Sequence, residues 1–94
     1  MKNIIVVGSC GLIGRALCKG LSKYHNIIEI DLINKKKKKY YKCDIINETE
    51  VRFTFDAIIR KYKKIDCLIN AAYPRKDNFS KTFDNLSVED FSLN

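Results

Sequence analysis

Three glycines at equal spacing, Gly8, Gly11 and Gly14, limit what this chain can fold into more than any other feature. The apolar run Asn3-Ile4-Ile5-Val6-Val7 leads straight into them, and a helical pattern begins at Leu12 and Ile13. A strand that passes through a tight glycine turn into a helix is a phosphate cradle. Glycine lets backbone approach a ligand with no Cβ in the way. The helix start adds unpaired N–H groups and the positive end of its dipole. The spacing G-x-x-G-x-x-G differs from the G-x-G-x-x-G dinucleotide fingerprint and from the G-x-x-x-x-G-K-[ST] loop of nucleotide hydrolases. Arg15 and Ala16 follow Gly14, so no lysine stands ready for a β- or γ-phosphate. The turn therefore favours a pyrophosphate diester, as in NAD, over a nucleoside triphosphate. The same pattern also suits a plain strand-to-helix turn, and the order of the surrounding elements has to decide.

That order is regular. The first strand, about Asn3 to Val7, lacks polar alternation, as expected of a central parallel strand buried on both faces. The next segment predicts a helix from about Gly11 to Tyr24, with Leu12, Ile13, Ala16, Leu17, Leu21 and Tyr24 as its apolar stripe. Gly14 and Gly20 inside it cost helix propensity. Close approach to a sheet would account for both, and at Gly20 simple tolerance would also serve. A second strand, Asn26 to Ile30, ends at Asp31. The lysine run Lys35 to Lys39 follows, then a short strand from about Tyr40 to Cys43 that ends at Asp44. Asn47 and Glu50 read as a capping pair, opening a helix with Val51, Phe55, Ile58, Ile59 and Tyr62 on one face. A fourth strand, Ile65 to Ile69, leads into Asn70-Ala71-Ala72. Beyond it lie a polar loop, Tyr73 to Leu86, and the start of a helix at Ser87. The order β-α-β-β-α-β-(α) predicts an α/β fold with a doubly wound parallel sheet and helices on both faces.

Asp31 is the second informative residue. An acidic side chain at the end of the second strand, about 20 residues after the glycine turn, is placed to accept hydrogen bonds from the adenosine ribose hydroxyls. It would repel a 2′-phosphate, and Leu32 and Ile33 offer no cation to compensate. NAD is thus expected over NADP, with the lysines from Lys35 onward as the one counterweight.

Composition removes several alternatives. The 94 residues suit one small domain. The four cysteines form no C-x-x-C pair and have only His25 to help them, which argues against a zinc site and for reduced thiols. No apolar run approaches the ~20 residues of a membrane span, and a cytoplasmic protein is expected. Of the net charge of +7, much sits in Lys35 to Lys39 and in Arg60, Lys61, Lys63 and Lys64 at a helix end. Aromatic residues are not interleaved with these cations. They read as solvated loop and helix end, not as a nucleic-acid face.

With these residues in place, the chain resembles the N-terminal part of a short-chain dehydrogenase/reductase over essentially all of its length. Gly8-Ser9-Cys10-Gly11-Leu12-Ile13-Gly14 is similar to the turn of that family's extended branch, whereas the more numerous branch has G-x-x-x-G-x-G. Val7 stands where a Thr is usual. Asp44-Ile45 matches the acidic-aliphatic pair beside the adenine ring. Ile69-Asn70-Ala71-Ala72 is similar to the N-N-A-G motif, with Ile for the first Asn and Ala for the Gly. Asn70-Ala71-Ala72-Tyr73-Pro74-Arg75 and Ser87-Val88-Glu89-Asp90-Phe91 resemble members linked to bacterial surface-sugar or flagellin glycan synthesis.

The resemblance implies a Rossmann-type unit over residues 1–94 that binds a dinucleotide, NAD more than NADP. Its cofactor contacts would be Gly8, Ser9, Cys10, Gly11, Leu12, Ile13 and Gly14, then Asp31, Asp44, Ile45, Asn70, Ala71 and Ala72. A sugar-derived small molecule is the implied substrate of the full-length protein. The family's proton transfer uses a Tyr whose pKa is lowered by a Lys four residues later, because an unassisted tyrosine is a poor base at neutral pH. None of the five tyrosines has that lysine: the residues four positions on are Ile28, Asp44, Ile45, Asp66 and Asp77. No catalytic residue is assigned, and the chain is expected to be a catalytically incomplete cofactor half. An open fourth-strand edge would favour a homo-oligomer. Two readings from other classes stay open, a non-catalytic binding or interaction module of the same fold and, behind it, a basic nucleic-acid binder. A Y-x-x-x-K motif in a reading frame continuing past codon 94 would separate the enzyme from the module.

Overall fold

The computed structural model describes residues 1–72; the polar loop from Tyr73 and the helix expected at Ser87 lie outside the described residues. The elements are β1 (Asn3–Val7), α1 (Leu12–Leu21), β2 (Asn26–Asp31), β3 (Tyr40–Lys42), α2 (Glu48–Tyr62) and β4 (Cys67–Asn70). All strand pairs are parallel, in the order β3-β2-β1-β4. β1 is central, in register from Asn3 opposite Asn26 to Val7 opposite Ile30 on one side, and from Ile4 opposite Cys67 to Val7 opposite Asn70 on the other. This is the doubly wound α/β arrangement that the element order predicts.

The strand period of two divides the core into two layers. Ile5, Val7, Ile28 and Ile30 point to one face and pack with Val51, Phe55 and Ile58 of α2. Ile4, Val6 and Ile27 point to the other and pack with Cys18 and Leu21 of α1. The two helices therefore cover opposite faces. That explains why β1 reads as an unbroken apolar run, with Ile4 to Val7 all buried.

α1 departs from the expected stripe. It ends at Leu21, with the Ser22 amide donating to Cys18 O at 3.0 Å. Gly14, Cys18 and Leu21 face the sheet, while Leu12, Ile13 and Tyr24 are exposed. The turn fixes the helix phase: Gly14 must lie against Gly8, and this rotates Leu12 and Ile13 away from the core.

The α2 cap also differs in detail. Asn47 Oδ1 accepts the Glu50 amide at 3.1 Å, as the capping pair predicts. The Glu50 carboxylate does not return to Asn47. It accepts the Asp44 amide at 3.1 Å instead, and so fastens the loop after β3 to the helix start.

The passage from β2 to β3 is unusually direct. Parallel neighbours normally need a crossover of about a dozen residues or more, but here residues 32–39 make it with no helix. Glu29, on the α1 side of β2, is left without a covering helix and is neutralised by Lys37 Nζ at 2.5 Å. Lys39 Nζ donates to Asn26 Oδ1 at 2.6 Å. The lysine run is thus only in part a solvated loop, since two of its members hold the connection down. No helix among the described residues is long and apolar enough to cross a membrane.

Candidate functional site

The glycine turn closes over the carboxyl end of β1. Gly8 has φ +82°, a left-handed conformation that disfavours any side chain, and its amide donates to Ile30 O at 2.8 Å. A Cβ on Gly8 would lie 2.7 Å from Ala72 N, and one on Gly14 would lie 2.0 Å from Gly8 O. These two glycines are required by contact between backbones. Gly11 differs: among the described residues a Cβ there would meet only Gly8 O at 3.5 Å, which leaves space beside it for a ligand.

Gly11 is also the N-cap of α1, with no side chain to cap the helix. The Arg15 amide makes the first helical bond, to Gly11 O at 2.9 Å. The amides of Leu12, Ile13 and Gly14 precede it and are the ones available to an anion. The Cys10 amide is not among them, because it donates to Asp31 Oδ2 at 2.8 Å. The Ser9 amide is directed to Ile30 O at 3.4 Å.

A cleft of about 580 Å³ opens in front of this turn, at the carboxyl ends of the strands. The chain leaves β1 for β2 and β3 on one side and returns as β4 on the other, which makes this the switch point where open α/β sheets take ligands. Of the residues expected to contact a cofactor, the cleft brings together Gly8, Cys10, Gly11, Leu12, Ile13, Asp31, Asp44, Ile45, Ala71 and Ala72. Ser9, Gly14 and Asn70 do not line it. The Ser9 side chain is buried behind the turn, Gly14 is pressed onto Gly8, and Asn70 Oδ1 accepts the Ala72 amide at 3.2 Å. The reading from residues missed Leu32, Ile33, Cys43 and Ile46, which complete the walls. Leu32 and Ile33 had a usable signal, two adjacent large apolar residues just past a strand end.

Two carboxylates supply the charge. Asp31 Oδ1 accepts the Leu32 amide at 2.7 Å, so both of its oxygens are engaged, each with a second lone pair free. Asp44 Oδ1 accepts the Ile46 amide at 3.1 Å. The Tyr40 hydroxyl donates to Ile33 O and fastens that wall to β3. Burial, with hydrogen bonding to Cys10 next, pushes the Tyr40 phenol well above its usual range. No group of three or more His, Cys, Asp or Glu among the described residues could hold a metal ion.

No family model matches the chain. It is 30% identical over a 95-residue alignment to post-translational flagellin modification protein A of Campylobacter coli, covering 85% of this chain and 37% of that protein. It is 35% identical over 86 residues to alcohol dehydrogenase 2 of Ceratitis capitata, covering 76% of this chain and 33% of that protein. Among solved structures, NAD⁺-bound xylitol dehydrogenase superposes with a TM-score of 0.68 at 29% identity, over 88% of this chain and 40% of that one. The chain belongs to the short-chain dehydrogenase/reductase family. It spans about a third of the length of the curated relatives it matches.

Two of the three residue departures from the short-chain dehydrogenase/reductase pattern, Val7 and Ala72, have a local rationale. Val7, in place of Thr, is fully buried in the α2-side core, where a methyl packs and a hydroxyl would need a partner. Ala72, in place of Gly, has its backbone against Gly8, and it is the bare Gly8 that makes this approach possible.

Proposed function

We propose that residues 1–94 form the NAD-binding part of a short-chain dehydrogenase/reductase-type oxidoreductase. The observation that carries this is the glycine turn: Leu12 and Ile13 line the cleft with amides that have no partner among the described residues, the Gly14 amide lies behind them, and the Cys10 amide is held by Asp31. The amides and the dipole of α1 would hold the pyrophosphate. Asp31 would accept from the adenosine ribose hydroxyls with its remaining lone pairs. Leu32, Ile33, Ile45 and Ile46 offer apolar walls to the adenine, with Asp44 beside it. Bound NAD would supply the hydride acceptor and NADH the donor. This chain's own residues bind and orient the dinucleotide and keep water from one side of it.

NAD is favoured over NADP because a 2′-phosphate would face the Asp31 carboxylate, and no cation among the described residues lines this cleft. A sugar-derived substrate for the whole protein rests on the likeness to flagellin modification protein A and xylitol dehydrogenase. The four free cysteines suit a reducing compartment and support a cytoplasmic protein. The test is a titration with NADH and NADPH by fluorescence. NADH should bind more tightly, and Asp31→Asn should narrow the gap. Equal affinities in the unmutated protein would refute the assignment of Asp31.

A further inference from the structure

A second cleft, of about 420 Å³, lies between α1 and the connection from β2 to β3, and shares no lining residue with the first. It exists because that connection has no helix to cover β2. Ser9 lines it together with Ile27 and Glu29 of β2, and the walls carry Arg15 and Lys19 from α1 and Lys35 and Lys38 from the lysine run. Among the described residues the single carboxylate there, Glu29, is already neutralised by Lys37. Arg15, Lys19, Lys35 and Lys38 have no ion pair among the described residues. Ser9 is 2% exposed, and its Oγ is buried with no hydrogen-bond partner among the described residues. A buried hydroxyl without a partner is unfavourable and calls for an acceptor.

We propose that this cleft binds a compact oligophosphate anion, with Arg15, Lys19, Lys35 and Lys38 around it and the Ser9 hydroxyl donating to one of its oxygens. Four unpaired cations converging from two elements match several closely spaced negative charges better than one carboxylate. Lys and Arg make charge-assisted hydrogen bonds to phosphate oxygens. The volume suits a small molecule. Among the described residues His25 carries the one ring that lines the cleft, and no Phe, Tyr or Trp does, so successive bases lack a stacking platform, which argues against single-stranded nucleic acid.

The test uses inorganic tripolyphosphate with the full chain at physiological salt, read by calorimetry and by amide chemical shifts. One molecule should bind, with shifts at Ser9, Lys19 and Lys35 to Lys38. The double variant Lys35→Gln/Lys38→Gln should weaken binding about tenfold or more. Ser9→Ala changes no charge and should still weaken binding severalfold. The control Lys61→Gln/Lys64→Gln removes the same charge elsewhere and should leave the affinity unchanged. The proposal is overturned if tripolyphosphate does not bind, if the control weakens binding as much as the cleft variant, if Ser9→Ala has no effect, or if the shifts fall on Leu12 to Gly14.

Discussion

The Asp31 carboxylate accepts the Cys10 amide at 2.8 Å, joining the end of β2 to the glycine turn across 21 residues of sequence. The residue expected to read the ribose is therefore also a strut for the cradle. Its two roles separate in two substitutions. Asp31→Ala removes both acceptors, leaves two amides unpaired, and should cost about 1–3 kcal/mol of stability besides NADH affinity. Asp31→Asn keeps one acceptor and should melt closer to the unmutated protein while still binding NADH more weakly. Thermal melts and NADH titrations of both variants check this.

Gly14 and Gly20 stand in the same helix and should respond in opposite directions. A Cβ at Gly14 would lie 2.0 Å from Gly8 O, against backbone that cannot move without opening the turn. Gly14→Ala should cost about 3 kcal/mol or more, at the severe end of overpacking. No described residue lies within 4 Å of a Cβ at Gly20. Gly20→Ala should stabilise by about 0.5–1 kcal/mol. Denaturant melts of the two single variants give the comparison.

The order of elements along the chain, the two-sided core and the turn were legible because each rests on local pattern: an apolar run, a glycine spacing, an acidic residue after a strand. What escaped depends on contacts between distant segments. Leu12 and Ile13 read as core because their spacing is helical, but the helix phase is set by Gly14 meeting Gly8, which pattern alone does not reveal. Glu50 reads as the second half of a capping box, yet the Asp44 amide competes for it successfully. Ser9 reads as part of the cradle, and only the packing shows its side chain behind the turn. The lysine run looks solvated, whereas the short crossover brings Lys37 to a buried glutamate.

Asp66 ties β4 to β1 and makes the fold sensitive to acid. Its Oδ2 accepts the Asn3 amide at 2.9 Å, and its own amide donates to Asn3 O at 2.9 Å. The Asn3 hydrogen bond first, with Lys64 assisting, holds the carboxyl below the usual carboxylate range. The folded protein thus takes up this proton less readily than the unfolded chain. The contribution is complete above the unfolded carboxylate pKa of ~3.9 and is lost as pH falls through the lower folded value. Asp66→Asn should flatten the acid limb of a stability–pH curve without changing its shape above neutrality.

The thiols should differ in reactivity. Burial, with Glu29 adding to it, pushes Cys18 up to about 11, and burial likewise raises Cys43. Cys67 is exposed on β4. Because the thiolate is the nucleophile, iodoacetamide at pH 8 should label Cys67 early, and Cys18 and Cys43 only on unfolding. Mass spectrometry of a labelling time course reads the order.

The most direct measurement is an amide-resolved NMR titration of the isotope-labelled chain with NADH. The turn is expected to shift as a unit, with saturable changes at Leu12, Ile13 and Gly14 and smaller ones at Asp31, Ile45 and Ala72. Saturation without movement of those three amides, or shifts confined to the lysine run, would contradict a dinucleotide cradle at this turn.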